Sequence, residues 1–525
     1  MITKTEKIVI FICCVVLVVR GVLLWNGNFP FSWDFARDAL WVRQLTIQHK
    51  VMLVGAWGSL DNTFFGPLYF YLIAIFLFLF NGDPRSAVFM VTLFTTALIP
   101  LSYFFLRKTV SEKSSIFAAW FFGILSQFTI LSLYSFPQNV LPFFFLVFFC
   151  AQWLFLKKPN LIRFWLLGFC AALFFHFEPV DTLPAFGVVG VLTLTVLAKQ
   201  SWQKRIKNTL MLAVGIVLPF IPNIIFDIRH NFSQLYAFID FFKGGGKSLG
   251  GYLTVSKRIP DRLFQFIDVV SRTFFGGSRV FALLGIGFAG WGIYQLVQSK
   301  SFQKGKAFFL LRLIGLNLVV YWLYFFAFSR LLKDYYLYMM PVLFVLGISV
   351  ILDSFTEKGF KEKVCAWLFL ILVSVFNLTL LWKNTITQLR SNDYRVQHMI
   401  VDEAYKRANG GPFVVYTYSP TVYDFPFQYL FSWYGNARYR YIPADYAYLP
   451  NQPDYVLNKA WFDREKDTRT SGGNQPKKIF LIQEPGTQMA YPPEYWKSKV
   501  PSFQETSRMM FSGELLFIEG ELQSK

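Results

Sequence analysis

The chain is divided by a succession of apolar segments, and their length is the feature that most restricts its fold. A helix needs about 20 mainly apolar residues to cross the hydrocarbon core of a bilayer. Eleven segments approach or reach that length, at residues 8–25, 86–106, 114–134, 140–156, 161–178, 180–198, 209–226, 279–297, 308–328, 337–353 and 364–382. Because lipid offers the backbone no hydrogen-bond partners, such segments must be helical. With a mean hydropathy of +0.41, the chain is predicted to be an α-helical polytopic membrane protein.

A further apolar run, PLYFYLIAIFLFLF at residues 67–80, has 14 residues, a length typical of segments that lie in the membrane surface. If this run does not span, every second gap between segments is basic, as cytoplasmic loops usually are. These gaps contain Lys4/Lys7, Arg107/Lys108/Lys113, Lys157/Lys158/Arg163, Lys199/Lys204/Arg205/Lys207, Lys300/Lys304/Lys306 and Lys358/Lys361/Lys363. We therefore expect about eleven spans in the plasma membrane, a cytoplasmic N-terminus and an extracytoplasmic C-terminus.

The first segment, the cysteines and the net charge exclude several other classes. No small-residue cleavage pattern precedes Trp25, so residues 8–25 predict a retained helix and not a secretory leader. All five cysteines lie in apolar stretches, which gives no disulfide or metal framework. The formal charge of +20 sits largely in short clusters between apolar segments, a pattern that orients helices, so we expect no nucleic-acid partner.

The chain changes character after the last apolar segment, which predicts a transmembrane domain at 1–383 and an extracytoplasmic domain at 384–525. SNDYRVQHMIVDEAYKRANGG predicts an amphipathic helix that ends at Gly410 and Gly411. PFVVYTYS, KKIFLIQE and ELLFIEGEL predict strands, so this domain is expected to be a small α/β domain. In the first domain, the stretch KGGGKSLGG at 243–251 is compatible with a mobile lid or with an ordinary loop.

Ionisable side chains that do not orient helices collect at the predicted outer ends of the segments. Charges at such depths are costly without a partner, which makes them candidates for function. Four clusters lie there: Asp34/Arg37/Asp38, His176/Glu178, Asp227/Arg229/His230 and Lys333/Asp334/Tyr335. We expect them to converge on one site at the extracytoplasmic interface, with Asp34 at its centre.

The stretch FSWDFARDAL at residues 31–40 is predicted to open a helix in the first outer loop. With Ser32 as N-cap, Asp34, Arg37 and Asp38 stand at i, i+3 and i+4 on one helix face. Two aspartates so placed repel each other unless a cation compensates. Arg37 supplies part of that compensation, and a divalent cation could supply more, although no ligand spacing specifies a metal. The alternative is a surface helix with a capping acid and an Asp–Arg pair.

The other clusters also have structural alternatives. Glu178 is a candidate because a carboxylate at the end of a span needs a partner, but it could also anchor the helix at the interface. Arg229 could bind a phosphate bidentately or pair with Asp227. The tyrosines near Lys333 are also typical of aromatic anchoring. The candidate substrate-binding residues are Arg37, Asp38, His176, Glu178, Arg229, His230, Lys333 and Tyr335.

Two sequence blocks together carry a family resemblance. WDFARDAL follows the first segment, and FFGPLYFYLIAIFLFLFNGDPRSAV comes shortly after it. They resemble the acidic motif and the GPLYYYL...GDP stretch of the GT-C superfamily of polyprenyl-phosphate-sugar-dependent glycosyltransferases. The likeness is nearest to bacterial relatives of protein O-mannosyltransferases and of the aminoarabinose transferase that acts on lipid A. ALFFHFEPVDTL, LPFIPNIIFDIRHNF and KDYYLYMMPVLFVL are similar to further blocks, so the resemblance extends roughly over residues 5–382.

The sequence departs from the family pattern at two positions. Phe35 stands where many relatives have Glu or Gln beside the first aspartate, and Phe65 stands where a His often precedes Gly-Pro. Both departures weaken the case for a bound metal. The resemblance also implies that 67–80 belongs to a juxtamembrane helix, in agreement with the distribution of basic residues.

The resemblance implies a polyprenyl-phosphate sugar donor, with membrane lipid around its tail, and a hydroxyl acceptor on a cell-envelope glycan, lipid or protein. In that reaction Asp34 is the candidate catalytic base, which takes the proton of the acceptor hydroxyl in a single inverting displacement. Arg37, Arg229 and Lys333 are candidates to stabilise the leaving phosphate, and Asp38 could orient Arg37 or a sugar hydroxyl.

Two other functional classes are alternatives to this one. A multi-pass transporter or flippase of lipid-linked sugars usually has polar sites near the bilayer midplane and repeated halves. Here the charges collect at outer ends and no internal repeat is visible, which favours an interfacial enzyme. The second alternative is a non-catalytic scaffold whose outer domain binds a partner.

Overall fold

The structure is a computed structural model that describes residues 2–58, 62–243, 253–298, 303, 305–383, 390–452 and 455–523. The helices of seven or more residues are Lys4–Trp25, Trp33–Thr46, Leu68–Leu79, Pro84–Thr109, Glu112–Ile124, Ser126–Ser132, Leu141–Lys157, Leu161–Ala172, Pro179–Leu197, Trp202–Arg229, Ser233–Phe242, Val255–Phe274, Arg279–Val297, Lys306–Ala327, Met340–Thr356, Phe360–Leu381 and Tyr394–Ala408. Shorter helical turns are Pro137–Val140, Leu173–His176, Asp334–Leu337, Phe425–Leu430, Phe431–Gly435, Asn436–Tyr439, Lys459–Asp463, Ser471–Gly473 and Pro493–Lys497. Of the glycine-rich stretch 243–251, residues 244–251 lie outside the described residues.

The apolar segments predicted from the sequence are helices. Among the described residues, nine helices are long and apolar enough to cross a membrane, or ten if the bent pair Glu112–Ile124 and Ser126–Ser132 forms one span. The remaining predicted segment corresponds to the shorter apolar helix Leu161–His176. Leu68–Leu79 has 12 residues and is about 18 Å long, short of the hydrocarbon thickness of about 30 Å. The chain is therefore a multi-pass membrane protein, as predicted.

The chain divides into two compact units that do not follow the order of the sequence. Unit 1 consists of Met1–Gly21, Val51–Leu72 and Phe89–Thr385. Unit 2 consists of Val22–Lys50, Ile73–Val88 and Ile386–Lys525. The predicted domain boundary after residue 383 stays a prediction.

In unit 1, small residues let two neighbouring helices approach closely. A Cβ atom on Gly215 of helix Trp202–Arg229 would lie 2.2 Å from the carbonyl oxygen of Trp165. A Cβ atom on Gly168 would lie 2.7 Å from the carbonyl oxygen of Leu212. Because the hydrophobic effect does not drive association within lipid, such close backbone packing is what holds membrane helices together.

A buried asparagine stabilises the break between Glu112–Ile124 and Ser126–Ser132, where the chain bends by 55°. The Oδ1 atom of Asn377 accepts hydrogen bonds from the backbone N–H (2.9 Å) and the hydroxyl (2.8 Å) of Ser126. Its Nδ2 atom donates to the carbonyl of Phe274 at 2.9 Å. The side chain thus satisfies an N–H group that the break leaves without a helical partner, and also a carbonyl at the end of helix Val255–Phe274.

Unit 2 contains a five-stranded sheet in the order β2-β1-β3-β5-β4. The strands are β1 Phe413–Tyr418, β2 Asp445–Ala447, β3 Lys478–Gln483, β4 Phe503–Phe511 and β5 Leu515–Leu522. β1 is parallel to β2 and β3, whereas β5 is antiparallel to β3 and β4. The three predicted strands and the predicted helix, observed as Tyr394–Ala408, are confirmed, while β2 and β4 were not predicted. The helix ends at Asn409 and Gly410, which both have positive φ angles of 46° and 76°.

Candidate functional site

Helix Trp33–Thr46 of unit 2 carries the first predicted cluster, and its start is the one expected. Ser32 is extended (φ −77°, ψ 172°), and its hydroxyl accepts a hydrogen bond from the backbone N–H of Phe35. This N-cap fixes the first turn, so that the side chains at positions 34, 37 and 38 share one face.

Arg37 bridges both aspartates of this face. Its Nη1 atom lies 2.9 Å from Oδ1 of Asp34, and its Nη2 and Nε atoms donate to Oδ1 of Asp38 at 2.7 and 2.9 Å. The Cζ atom of Arg37 lies over the ring of Trp33, 4.8 Å from the ring centroid. The Asp34 side chain is 41% exposed, whereas Asp38 is buried. Burial raises the pKa of Asp38 to about 6, although the nearby Arg37 charge acts in the opposite direction.

The same helix is buried, whereas the alternative for this stretch was a surface helix. Phe35, Ala36 and Leu40 are at most 2% exposed, and Trp41 is 8% exposed. The helix packs against Phe425–Leu430 of the sheet-bearing part of unit 2. Sequence spacing could not identify the surface that covers this helix, because that surface lies almost 400 residues further along the chain.

Unit 1 contains a cavity of about 400 Å³ whose walls are mostly apolar and aromatic. Its polar and charged lining consists of Thr63, Glu178, Thr182, Asn223, Asp227, Gln234, Tyr324, Arg330, Lys333 and Tyr336. Two of the predicted substrate-binding residues, Glu178 and Lys333, thus line one cavity. A mainly apolar space with a few charged groups suits a ligand that is largely hydrocarbon and carries one anionic group.

Glu178 lies in the turn between the apolar helix Leu161–His176 and helix Pro179–Leu197. It is 3% exposed. Its Oε2 atom accepts a hydrogen bond from Nε2 of Gln138 at 2.8 Å, and its Oε1 atom accepts from the backbone N–H of Val180 at 3.2 Å. Burial raises the pKa of Glu178 to about 7, with Gln138, Val180 and Lys333 acting against that increase.

Besides Lys333, the cavity has a second cation, which was not among the predicted site residues. Arg330 is 7% exposed and lines the cavity together with Lys333. The segment that carries Arg330 is held by Arg262, which donates to the carbonyls of Phe325 (3.0 Å), Phe328 (3.0 Å) and Arg330 (2.6 Å). The signal in the sequence was a second basic residue shortly after the span 308–328, in FSRLLKDYY.

The tyrosines that follow Lys333 are divided by the short helical turn Asp334–Leu337. Tyr336 is 5% exposed and lines the cavity. Tyr335, the predicted residue, is not among the lining residues, and its ring contacts Phe136 at a centroid distance of 5.7 Å. The ammonium group of Lys333 lies 5.5 Å from the ring of Tyr335.

His176 joins two of the sequence blocks that carry the family resemblance. Its Nδ1 atom accepts a hydrogen bond from the backbone N–H of Leu68 at 3.2 Å, and its Nε2 atom pairs with the carbonyl of Pro219 at 3.0 Å. Gly66 must be a glycine here, because a Cβ atom would lie 2.1 Å from Nδ1 of His176. Both ring nitrogens therefore hold the backbone, and a substrate contact by His176 stays a prediction.

The third cluster is only partly at the cavity. Asp227 lines it, and its two carboxylate oxygens accept from the backbone N–H groups of Gln234 (2.8 Å) and Leu235 (3.1 Å). Arg229 and His230 are exposed and are not among the residues that line the cavity. The structure thus brings together Glu178, Lys333 and Asp227 in unit 1, and Asp34, Arg37 and Asp38 in unit 2. The expected convergence of all four clusters stays a prediction.

Metal ligands do not cluster in the described parts of the chain. Among these residues, no three His, Cys, Asp or Glu side chains are arranged so that they could hold a metal ion. At Asp34 and Asp38, the cation that relieves the repulsion of the two carboxylates is the guanidinium of Arg37.

The structure of the chain is similar to known structures of two other proteins. ArnT from Cupriavidus metallidurans bound to undecaprenyl phosphate is 13% identical, with a TM-score of 0.60 and a match that covers 98% of each chain. The apo state of that protein gives 13% identity, a TM-score of 0.59 and the same coverage. The archaeal oligosaccharyltransferase AglB from Archaeoglobus fulgidus, in complex with an inhibitory peptide and a dolichol-phosphate, has a TM-score of 0.42 at 11% identity. That match covers 91% of this chain and 69% of AglB.

No protein-family model matches the sequence, and no curated protein matches it. The fold is nevertheless clear from the ArnT comparison, which extends over both units. The chain has the fold of ArnT, with a small C-terminal sheet domain, which is the fold that the resemblance of its sequence blocks implied.

Proposed function

We propose that the protein is a glycosyltransferase that moves a sugar from a polyprenyl-phosphate donor to a hydroxyl group of a glycan, lipid or protein. The observation that carries the proposal is the cavity of unit 1, which combines apolar walls with Arg330 and Lys333. The ArnT structure of the same fold was obtained with undecaprenyl phosphate bound.

In this proposal the cavity binds the phosphate end of the lipid. Arg330 and Lys333 supply positive charge to the phosphate oxygens, and the aromatic walls contact the first isoprene units. A mostly apolar surrounding strengthens these charge interactions, because fewer water molecules screen them. Of the cations predicted for this role, Lys333 is the one that lines the cavity.

We propose that Asp34 is the general base. The acceptor oxygen attacks the anomeric carbon while the bond from that carbon to the phosphate oxygen breaks. The acceptor proton passes to Asp34, and the electron pair of the broken bond stays on the polyprenyl phosphate. Among the aspartates on its helix face, Asp34 has the exposed carboxylate, whereas Asp38 is buried against Arg37.

Arg37 is proposed to position Asp34 and not to contact the phosphate directly. Its guanidinium already bonds both carboxylates and is 5% exposed, so it holds the orientation of Asp34 relative to the helix. Asp38 completes this arrangement by binding the same guanidinium from the next turn.

The test is a transfer assay in reconstituted vesicles with radiolabelled polyprenyl-phosphate sugars and a panel of acceptors. Asp34→Asn keeps the shape of the side chain but removes its basicity, and should lower the transfer rate about 100- to 10,000-fold. A folded Asp34→Asn protein with unchanged transfer would contradict the assignment.

The phosphate site is tested separately by the binding of undecaprenyl phosphate. Lys333→Gln should weaken binding, whereas Lys204→Gln, at an exposed lysine of helix Trp202–Arg229, should not. Equal affinities for both variants would contradict the role of Lys333. Translocation of the labelled donor without any transfer would instead favour a flippase.

We also propose that the N-terminus is cytoplasmic and that the C-terminal domain is extracytoplasmic in the plasma membrane. The alternation of basic gaps supports this topology. Protease cleavage of the C-terminal domain from outside intact cells would support it, and cleavage only after permeabilisation would contradict it.

A further inference from the structure

Two carboxylic acids lie one helical turn apart in unit 1, one of them at the cavity, and the proposed reaction does not use them. Glu178 lines the cavity, and Asp181 follows in the first turn of helix Pro179–Leu197. Both side chains are buried, Asp181 completely. Residues at this spacing lie on the same side of the helix.

The two carboxyl groups differ in their hydrogen bonds. Glu178 accepts one bond at each oxygen, from Gln138 and from the backbone of Val180. For Asp181, neither carboxylate oxygen has a hydrogen-bond partner within the described residues. A buried carboxylate without a partner is costly when ionised, so the proton of this pair belongs on Asp181 and the charge on Glu178.

The titratable groups around Glu178 come from several segments. Asp181 lies on the same helix, Tyr324 on helix Lys306–Ala327, and Lys333 and Tyr335 at the turn Asp334–Leu337. Arg330 and Asp227 line the same cavity. Lys333 is the cation whose charge favours the ionised form of Glu178.

We propose that Glu178 takes up one proton from solvent when a phosphate group enters the cavity, because a second anion beside the buried carboxylate disfavours its charged form. The inference rests on the proposed function, which assigns the lipid phosphate to this cavity. As an anion Glu178 repels the phosphate, and as a neutral acid it no longer does so. Glu178 thus links phosphate binding to protonation.

The burial of Glu178 determines whether the phosphate affinity rises or falls with pH. Burial raises its pKa to about 7, so without a phosphate it loses its proton near neutral pH. A phosphate beside it raises the pKa of Glu178 further, because a second anion disfavours the charged form. Above neutral pH each binding event must draw a proton from solvent, and the affinity falls by up to about tenfold per pH unit.

The experiment measures binding of undecaprenyl phosphate to the full-length protein between about pH 6.5 and about pH 9. Glu178→Gln keeps the size and hydrogen-bonding capacity of the side chain but cannot titrate. The second ionisation of the lipid phosphate near pH 6 affects both proteins alike. The ratio of the wild-type to the Glu178→Gln dissociation constant should therefore rise by up to about tenfold per pH unit.

Asp227→Asn is the matched control, since Asp227 lines the same cavity but uses its oxygens to cap helix Ser233–Phe242. It should keep the wild-type pH dependence. The same pH dependence in wild type and Glu178→Gln would overturn the inference while leaving the proposed function intact. A loss of the dependence in Asp227→Asn as well would also overturn it. Absence of binding by every protein at every pH would overturn the proposed function and this inference with it.

A second measurement needs no lipid. Infrared spectra of the full-length protein should contain the carbonyl absorption of a protonated carboxyl group that disappears in Asp181→Asn. Persistence of that absorption in Asp181→Asn would show that the proton is held elsewhere, and would overturn the charge distribution on which the inference depends.

Discussion

Replacement of Arg37 by methionine tests the charge arrangement on helix Trp33–Thr46. The guanidinium pairs with the exposed Asp34 and with the buried Asp38. Solvent screens the pair with Asp34, whose side chain is 41% exposed, so its loss should cost at most about 1 kcal/mol. Removal of the partner of a buried charge costs about 3–5 kcal/mol. Because Asp38 can take up a proton, we expect a value near the lower limit, about 3 kcal/mol at neutral pH.

The stability deficit of Arg37→Met should change with pH in a direction that the pKa of Asp38 determines. Burial already raises the pKa of Asp38 to about 6, and loss of Arg37 should raise the pKa further. Below that pKa the carboxyl group is neutral in the folded protein and no longer needs the guanidinium. The stability deficit of Arg37→Met should therefore be largest above the raised pKa and should shrink as the pH falls.

The assay is thermal unfolding of the full-length protein in detergent at several pH values. For units of 150–250 residues, 1 kcal/mol corresponds to about 2–4 °C, so the melting temperature should fall by roughly 6–12 °C. The control is the double variant Arg37→Met/Asp38→Leu, which replaces both buried charges by apolar groups and should recover most of the loss. A single variant that melts within about 1 °C of wild type, or a double variant that melts below the single one, would refute the reasoning.

Two further predictions concern unit 1. Gly66→Ala places a Cβ atom against the ring of His176 and should destabilise the protein by about 1–3 kcal/mol in thermal unfolding, whereas the same change made in a His176→Ala background should cost less, because the clash is absent there. A single variant as stable as wild type would contradict the close approach. Arg262→Met leaves three backbone carbonyls without their donor and should weaken undecaprenyl phosphate binding at least about tenfold, whereas the exposed Arg279→Met should bind normally. Normal binding by Arg262→Met would show that the Arg330 segment does not depend on Arg262.

The membrane-spanning part was predictable because its rules are local. The length of an apolar segment decides whether it can span, and the short run at 67–80 forms a helix of 12 residues. The predicted span 161–178 also contains a shorter apolar helix, Leu161–His176, so which of these two segments crosses the membrane stays a prediction. The cap at Ser32 and the strands β1, β3 and β5 also follow from neighbouring residues. In contrast, β4 reads FQETSRMMF and has no apolar alternation that would identify it.

The candidate site depends on contacts between distant parts of the chain, which the spacing of residues in the sequence does not reveal. The i, i+3 and i+4 positions correctly placed Arg37 between two aspartates, but not their burial against Phe425–Leu430. The choice between Tyr335 and Tyr336 depends on the local geometry of the turn Asp334–Leu337. Asp181 was not selected, since a single carboxyl in an apolar run gives no indication whether a partner will face it.

The hydrogen bonds of helix Val255–Phe274 have a mechanical consequence for the wall that carries Arg330. Arg258 and Arg262 donate to the carbonyls at the end of helix Lys306–Ala327 and just beyond it, which that helix cannot satisfy itself. The two helices are therefore linked at this end by side-chain hydrogen bonds. Any tilt of Val255–Phe274 would therefore move the Arg330 segment with it, and with that segment one of the two cations of the proposed phosphate site.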